Sequence, residues 1–307
     1  MQLFINNTDI TDTDQSVRSC KYKDFAGGHA DVLQIVFNDT FDLWRTWDLN
    51  KNDPIRAVKN KVDSGTMYVS NISISNGAYT IKALSTPAKA LGEKSSIKER
   101  IKLTEICKDI SNELGFELQT YEINDYLYEY VERVNQNPVS HLESILMREG
   151  YLQKIYNNKL IVYSERVLER VNPSINLEIE DFITDPELST SDTNLVSVVE
   201  NLYNHENGFI KNKVSSELNG KKLNLNMPVS SIGEGERFCN SIMRYYNKYE
   251  YTGSGQIEND NITAGTTINL VGNFSSWSGI NFVYEVTHDL ISGKKYIKFR
   301  KPIEGGY

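Results

Sequence analysis

Up to about residue 90 the apolar positions fall in short runs rich in β-branched and aromatic residues: Asp31 to Phe37 (DVLQIVF), Thr66 to Ile74 (TMYVSNISI) and Tyr79 to Leu84 (YTIKAL). Side chains of this kind suit a pleated, half-buried surface, so each run predicts a strand. Asn38-Asp39 and Asn76-Gly77 separate them. Asn and Gly tolerate the positive φ of a type I′ turn, which makes Asn76-Gly77 a hairpin signal. A compact antiparallel sheet or barrel is expected here.

The period then lengthens. Ile97, Ile101, Ile106, Ile110 and Leu114 recur at spacings of four or five, predicting a helix from Ser96 to Leu114. Ser96 and Glu99 form a capping-box pattern at its start, and Gly115 offers a left-handed stop. A second helix is expected over Asn137 to Glu149, with Asn137 as N-cap, Pro138 at the first helical position, and Leu142, Ile145 and Leu146 facing a core. Gly150 ends it. Tyr151 to Tyr156 and Lys159 to Tyr163 alternate around Asn157-Asn158, a further two-residue hairpin. Tyr126, Tyr128 and Tyr130 repeat every second residue and so share one face of a connecting strand.

From about residue 169 the strand pattern returns, in Ser174 to Ile179, Leu195 to Tyr203, Leu223 to Met227, Thr266 to Gly272, Phe282 to Thr287 and Tyr296 to Phe299. One helix is expected among them, Glu234 to Tyr249, with Phe238, Ile242, Tyr245 and Tyr249 on one face. Asp181 to Asn194 (DFITDPELSTSDTN) is acidic and contains Pro, and reads as a surface loop. The fold class that follows is mainly β with an α+β insert.

Composition narrows function by exclusion. Lys and Arg number 33 against 41 Asp and Glu, a formal charge of −8, which argues against a broad grip on a phosphate backbone. Specific nucleic acid is therefore not an expected partner. No apolar run approaches the roughly 20 residues of a membrane span, and the opening MQLFINNTDITDTD has no signal-peptide pattern. Cys20, Cys107 and Cys239 are scattered and odd in number, as expected of buried thiols in a reducing compartment.

No catalytic, cofactor-binding or metal-binding residue is singled out. His29, His141, His205 and His288 lack metal-ligand spacing with one another or with Cys. His288 beside Asp289 has the form of a dyad, but no nucleophile accompanies it, so a strand-end histidine bonded to a loop carboxylate is preferred. Gly253-Ser254-Gly255 and Ser275 to Gly279 do not fit a nucleophile elbow. Gly233-Glu234-Gly235-Glu236 precedes a helix, yet two carboxylates at a helix N-terminus would repel phosphate, so acidic capping is the expectation. The 18 tyrosines are the one enrichment, suited to a protein interface, a carbohydrate platform or plain core packing.

The element order resembles a known family. ERIKLTEICKDISNELGFELQ, followed by YLYEYVERVNQNPVSHLESILMREGYLQKIYNNKLIVYSE, is similar to the middle of phage tail baseplate hub proteins of the late control D type. The matching features are Leu114-Gly115-Phe116, the polar link Arg133 to Gln136, Leu142 to Leu146, and Gly150-Tyr151. Ile262 to Ile268 and Phe282 to His288 are similar to that family's tail end, while Trp44, Trp47, Asp53-Pro54-Ile55 and Thr66 to Val69 resemble hubs of prophage elements and tail-like bacteriocins. The resemblance implies two β-barrel, tube-like domains, residues 1–92 and 169–307, flanking an α+β insert at 93–168.

It also implies a non-enzymatic homotrimer of pseudo-sixfold symmetry that joins a sixfold tail tube to a threefold spike. The implied partners are further copies of the chain, the tail spike, the tail tube, the tape measure and other baseplate proteins, with no membrane. The implied location is the baseplate of a virion or tail-like particle assembled in the bacterial cytoplasm. Two other readings stay open: a cell-wall hydrolase drawing on the surplus carboxylates, and a carbohydrate-binding tail component using the tyrosines and Trp277.

Overall fold

The computed structural model describes residues 1–11, 16–40, 44–205, 208–258 and 261–303, with the side chains of Arg45 and His205 outside that description. The opening segment is all strand: β1 (Gln2–Ile5), β2 (Thr8–Asp9), β3 (Val17–Phe25), β4 (Val32–Asn38), β5 (Pro54–Lys59), β6 (Val62–Asp63), β7 (Met67–Ser75) and β8 (Ala78–Leu84). Asn76 and Gly77 both hold positive φ, 50° and 68°, so the β7–β8 hairpin has the turn its sequence demands. Alternate side chains of β1, β3, β4, β5, β7 and β8, among them Leu3, Tyr22, Ile35, Ile55, Met67 and Ile81, meet in one core. A sheet whose distant strands share one core must wrap around it.

The middle segment holds β9 (Lys94–Lys102), α1 (Leu103–Leu114), β10 (Glu117–Tyr121), β11 (Leu127–Gln136), α2 (Pro138–Glu149), β12 (Tyr151–Tyr156), β13 (Lys159–Ser164) and the single turn α3 (Glu165–Leu168). Here the structure corrects the first helix. Ser96 to Lys102 is strand, paired antiparallel with β11, and Ile97 is 67% exposed rather than on a buried face. The helix begins at Leu103 because its first turn is capped from two sides. Glu105 accepts the Lys102 N–H at 2.9 Å, and Asp125 accepts the Thr104 N–H at 3.0 Å. The second cap comes from a different stretch of chain, which a local reading does not see. The expected stops hold: Gly115 and Gly150 sit at φ 68° and 75°.

The last segment comprises β14 (Ile175–Leu177), β15 (Glu187–Thr190), β16 (Val196–His205), β17 (Gly208–Ser215), β18 (Lys221–Leu225), α4 (Ile232–Asn247), β19 (Tyr251–Ile257), β20 (Thr267–Leu270), β21 (Gly279–Asp289) and β22 (Lys295–Arg300). Two expectations are revised. β15 lies inside the stretch read as a loop: its residues, polar and exposed except for the partly buried Leu188, pair with β19, so a partner strand and not local propensity makes it a strand. In α4, Phe238 and Ile242 are buried as expected, but Tyr245 and Tyr249 are exposed and Cys239 and Met243 take the inner face. Tyr249 lies past the helix end at Asn247.

The large sheet runs β15-β19-β22-β21-β3-β4-β8-β7-β5-β1-β2. The opening and closing segments are thus one sheet, joined where β21 lies antiparallel to β3 from Glu285↔Phe25 to Asp289↔Lys21. β14 and β20 branch from β21, and Leu177, Ile257, Leu270, Val286 and Ile297 form a second core. Among the described strands no pairing closes either wrapped half into a full ring.

Residues 196–247 leave this sheet. β17-β16-β18 make their own layer under α4, and Val229 and Phe238 enter the core that α1, α2 and the β10-β13-β12 sheet build.

Candidate functional site

Two buried ionic clusters tie the middle segment to the sheet on either side of the β3–β21 seam. In the first, Lys154 of β12 donates to Asp24 of β3, lies 3.2 Å from Asp31, and donates to the Phe25 carbonyl at 2.6 Å. Asp31 is held by the Tyr22 hydroxyl and the Phe25 N–H, each at 2.9 Å. Asp24 also accepts the Ala264 N–H at 2.9 Å, so residues from all three segments converge there. Burial, only partly offset by Lys154, pushes the Asp31 carboxyl up to about 6. Asp24, equally buried, is held below the ordinary range by Lys154 and its hydrogen bonds.

His288 stacks on Tyr22 at 5.5 Å between ring centroids, with Nε2 3.9 Å from Asp24. Its neighbour Asp289 instead closes a turn by accepting the Ile291 and Ser292 N–H groups. The expected His–loop carboxylate pair is therefore replaced by a buried histidine whose closest carboxylate comes from another strand. Desolvation lowers its pKa, which keeps the ring neutral.

The second cluster joins α3, α4 and β22. Lys248 donates to both oxygens of Glu165 at 3.1 and 3.2 Å. Arg300 donates to Glu165 at 2.8 Å and also to Glu169, and Arg244 donates to Glu169. Arg300 packs over the Phe282 ring at 5.0 Å. Burial alone would raise the Glu165 carboxyl, but Arg300, Lys248 and Arg244 bring it down to about 2.

Positions that stood out in the sequence take part in packing and capping contacts. Gly253 and Gly255 lie on β19, where an added Cβ would collide with the Phe299 and Phe182 rings respectively; the Gly-Ser-Gly run is a track for two aromatic rings. Glu234 caps α4 by accepting the Ser230 N–H at 2.6 Å, while Ser231 Oγ accepts the Glu234 N–H at 3.2 Å. Trp277 is half-buried, donates its indole N–H to the Thr252 carbonyl at 2.9 Å and meets Tyr251 edge-on, which packs it against β19. Tyr128 is buried against Glu149 at 2.8 Å, whereas Tyr130 is exposed and reaches the Tyr203 hydroxyl at 3.4 Å.

Cys20, Cys107 and Cys239 are buried and form no disulfide. Among the described residues no group of three His, Cys, Asp or Glu is placed to hold a metal, and no helix is long and apolar enough to cross a membrane.

The residues that bind the segments together were not singled out from the sequence. A signal for one of them exists: Asp24 shares strand parity with buried Cys20 and Tyr22. A charge on the core side of a strand must find a buried partner.

This fold, a wrapped sheet shared by both ends of the chain with an α+β layer against it, is shared with solved phage tail proteins. The 43 kDa tail protein of prophage MuSo2 from Shewanella oneidensis superposes with a TM-score of 0.78 at 9% identity, over 97% of each chain. A tail protein from Neisseria meningitidis gives 0.77 at 8% identity, covering 97% of this chain and 95% of that one. The E. coli c3393 protein, described as a type VI secretion system component with structural similarity to the T4 tail proteins gp27 and gp5, gives 0.62 at 11% identity, over 100% of this chain and 79% of its own. At these identities the likeness is one of fold. The sequence matches no protein-family profile and no curated protein.

Proposed function

We propose that this chain is a structural baseplate hub of a phage tail or tail-like particle, forming a homotrimer that joins a sixfold tube to a threefold spike. The observation that carries this reading is the agreement of fold with two tail proteins over 97% of this chain. In this reading residues 1–92 and 169–307 act as two tube-like domains around an α+β insert at 93–168, and three copies present six similar surfaces. Among the described strands β15 and β2 end the sheet with no further strand beside them, which supports it, since an unpaired strand edge needs a partner or a cover. The role is geometric and requires no catalysis. The location is the baseplate, with the tube, spike and neighbouring baseplate proteins as partners.

Electron microscopy of the chain co-expressed with the spike from the same gene cluster tests this. Three copies in a ring seated on the spike are expected. A chain that stays monomeric and unbound beside a folded spike trimer would sink the reading.

A further inference from the structure

Among the described residues the second ionic cluster does not balance. Three cations, Arg244, Lys248 and Arg300, face two carboxylates, Glu165 and Glu169, and none of the five side chains is more than 8% exposed. An uncompensated charge away from water is costly unless something neutralises it. The shortage of acceptors shows in the geometry: among the described residues the Nε atoms of Arg244 and Arg300 are buried without an acceptor. Desolvation and the neighbouring guanidinium groups also weaken the hold of Lys248 on its proton.

More positive charge gathers just outside. Arg166 and Arg170 line an open cleft of about 810 Å³ together with Arg244, Lys248 and Lys301, whose ammonium donates to the Ser278 carbonyl. Arg166 is half-buried, and its pKa is lowered by desolvation and then by the like charges of Arg244 and Arg170. Among the described residues neither Arg166 nor Arg170 has a carboxylate in ion-pair contact. Glu250, on the same wall, is itself partly desolvated, and its carboxyl is raised. In a chain of net charge −8, five cations beside only Glu169 and Glu250 make the lining of this cleft locally positive.

We propose that this cleft is an oxyanion-binding site, taking a phosphate or carboxylate group against Arg166 and Arg170 and neutralising the excess charge behind them. Guanidinium groups present paired N–H donors that match such oxygens. The bound group lies where α3, α4 and the chain leaving β22 meet, since Arg244 also donates to the Ile303 carbonyl at 3.4 Å. Occupancy therefore braces the joint between the middle segment and the last strand.

The test is calorimetric titration of the full chain with inorganic phosphate, and separately with acetate, at constant ionic strength in chloride. Saturable binding of at least one anion is expected, with a thermal midpoint that climbs with its concentration. Binding of phosphate alone marks a tetrahedral group as the ligand; binding of acetate marks a carboxylate. Arg166→Ala with Arg170→Ala should weaken binding at least about tenfold, the scale of a lost charge-assisted hydrogen bond. The exposed Arg170→Ala alone gives the same direction of change should the double variant fold poorly. No saturable binding of either anion, or equal binding by wild type and variants, overturns the proposal.

Discussion

Lys154 and Asp24, 130 residues apart in sequence, form a buried ion pair at the point where all three segments meet. The pair stands beside a second carboxylate, Asp31, so the lysine separates two like charges as well as bonding to them.

Replacing Lys154 by Met should therefore destabilise the fold by about 3 kcal/mol, because one partner of a buried pair is left uncompensated. Urea unfolding measures it. Adding Asp24→Asn to the same chain should recover part of the loss; a double variant no more stable than Lys154→Met would mean that Asp24 is not what the lysine neutralises.

The carboxyl of Asp31, raised from an ordinary 3.8 to about 6, contributes stability that is fully present below its ordinary value and is lost as the pH rises through about 6. His141, lowered to about 4, and His288, also lowered, work in the opposite sense, each losing stability as the pH falls below 6.5. The total is then mixed, and the difference between wild type and Asp31→Asn isolates one carboxyl. Wild type should gain on the variant between about pH 7 and pH 5 in thermal melts. A difference that does not vary with pH would remove the assignment.

Glu165 has the opposite sign to Asp31. Held at about 2 against an ordinary 4.5, it stabilises the fold above that ordinary value and ceases to do so as the pH falls towards 2. Glu165→Gln should flatten the acid limb of the stability curve and cost about 3 kcal/mol at neutral pH, read by urea unfolding.

Gly253→Ala should cost about 1–3 kcal/mol through overpacking against Phe299. Phe299→Leu in the same chain should make the alanine cheaper than it is alone. Thermal melts of the four chains of this cycle decide it, and strict additivity would contradict the contact.

The thiols should be inert in the native protein. Cys107 and Cys239 are pushed up to about 12 and about 11 by burial, and Cys20 is equally enclosed. A disulfide reagent should label all three residues only after denaturation; rapid labelling of any one in the folded chain would show that its surroundings open.

What the sequence disclosed was whatever a few consecutive residues decide. Asn76-Gly77 and Asn157-Asn158 adopt the positive φ their turns need, and Asn137-Pro138 starts α2 with the Asn137 side chain accepting the Ser140 N–H at 2.8 Å. What it withheld depends on partners far along the chain. β9 is a strand because β11 lies beside it, β15 because β19 does, and α1 starts where Asp125 caps it. The ionic clusters belong to the same category: Glu165 and Arg300 look like ordinary surface charges until a helix and a strand 135 residues apart enclose them.

The β3–β21 seam has a mechanical meaning. Its hydrogen bonds run across the strands, so a load directed along them is shared by every rung from Glu285↔Phe25 to Asp289↔Lys21 at once, while a sideways pull would open the rungs singly. The polypeptide leaves the sheet after β8, on one side of the seam, and comes back to it at β14 and β15, on the other. A torque applied to one half is delivered to the other through adjacent backbone, without passing through the helices between them.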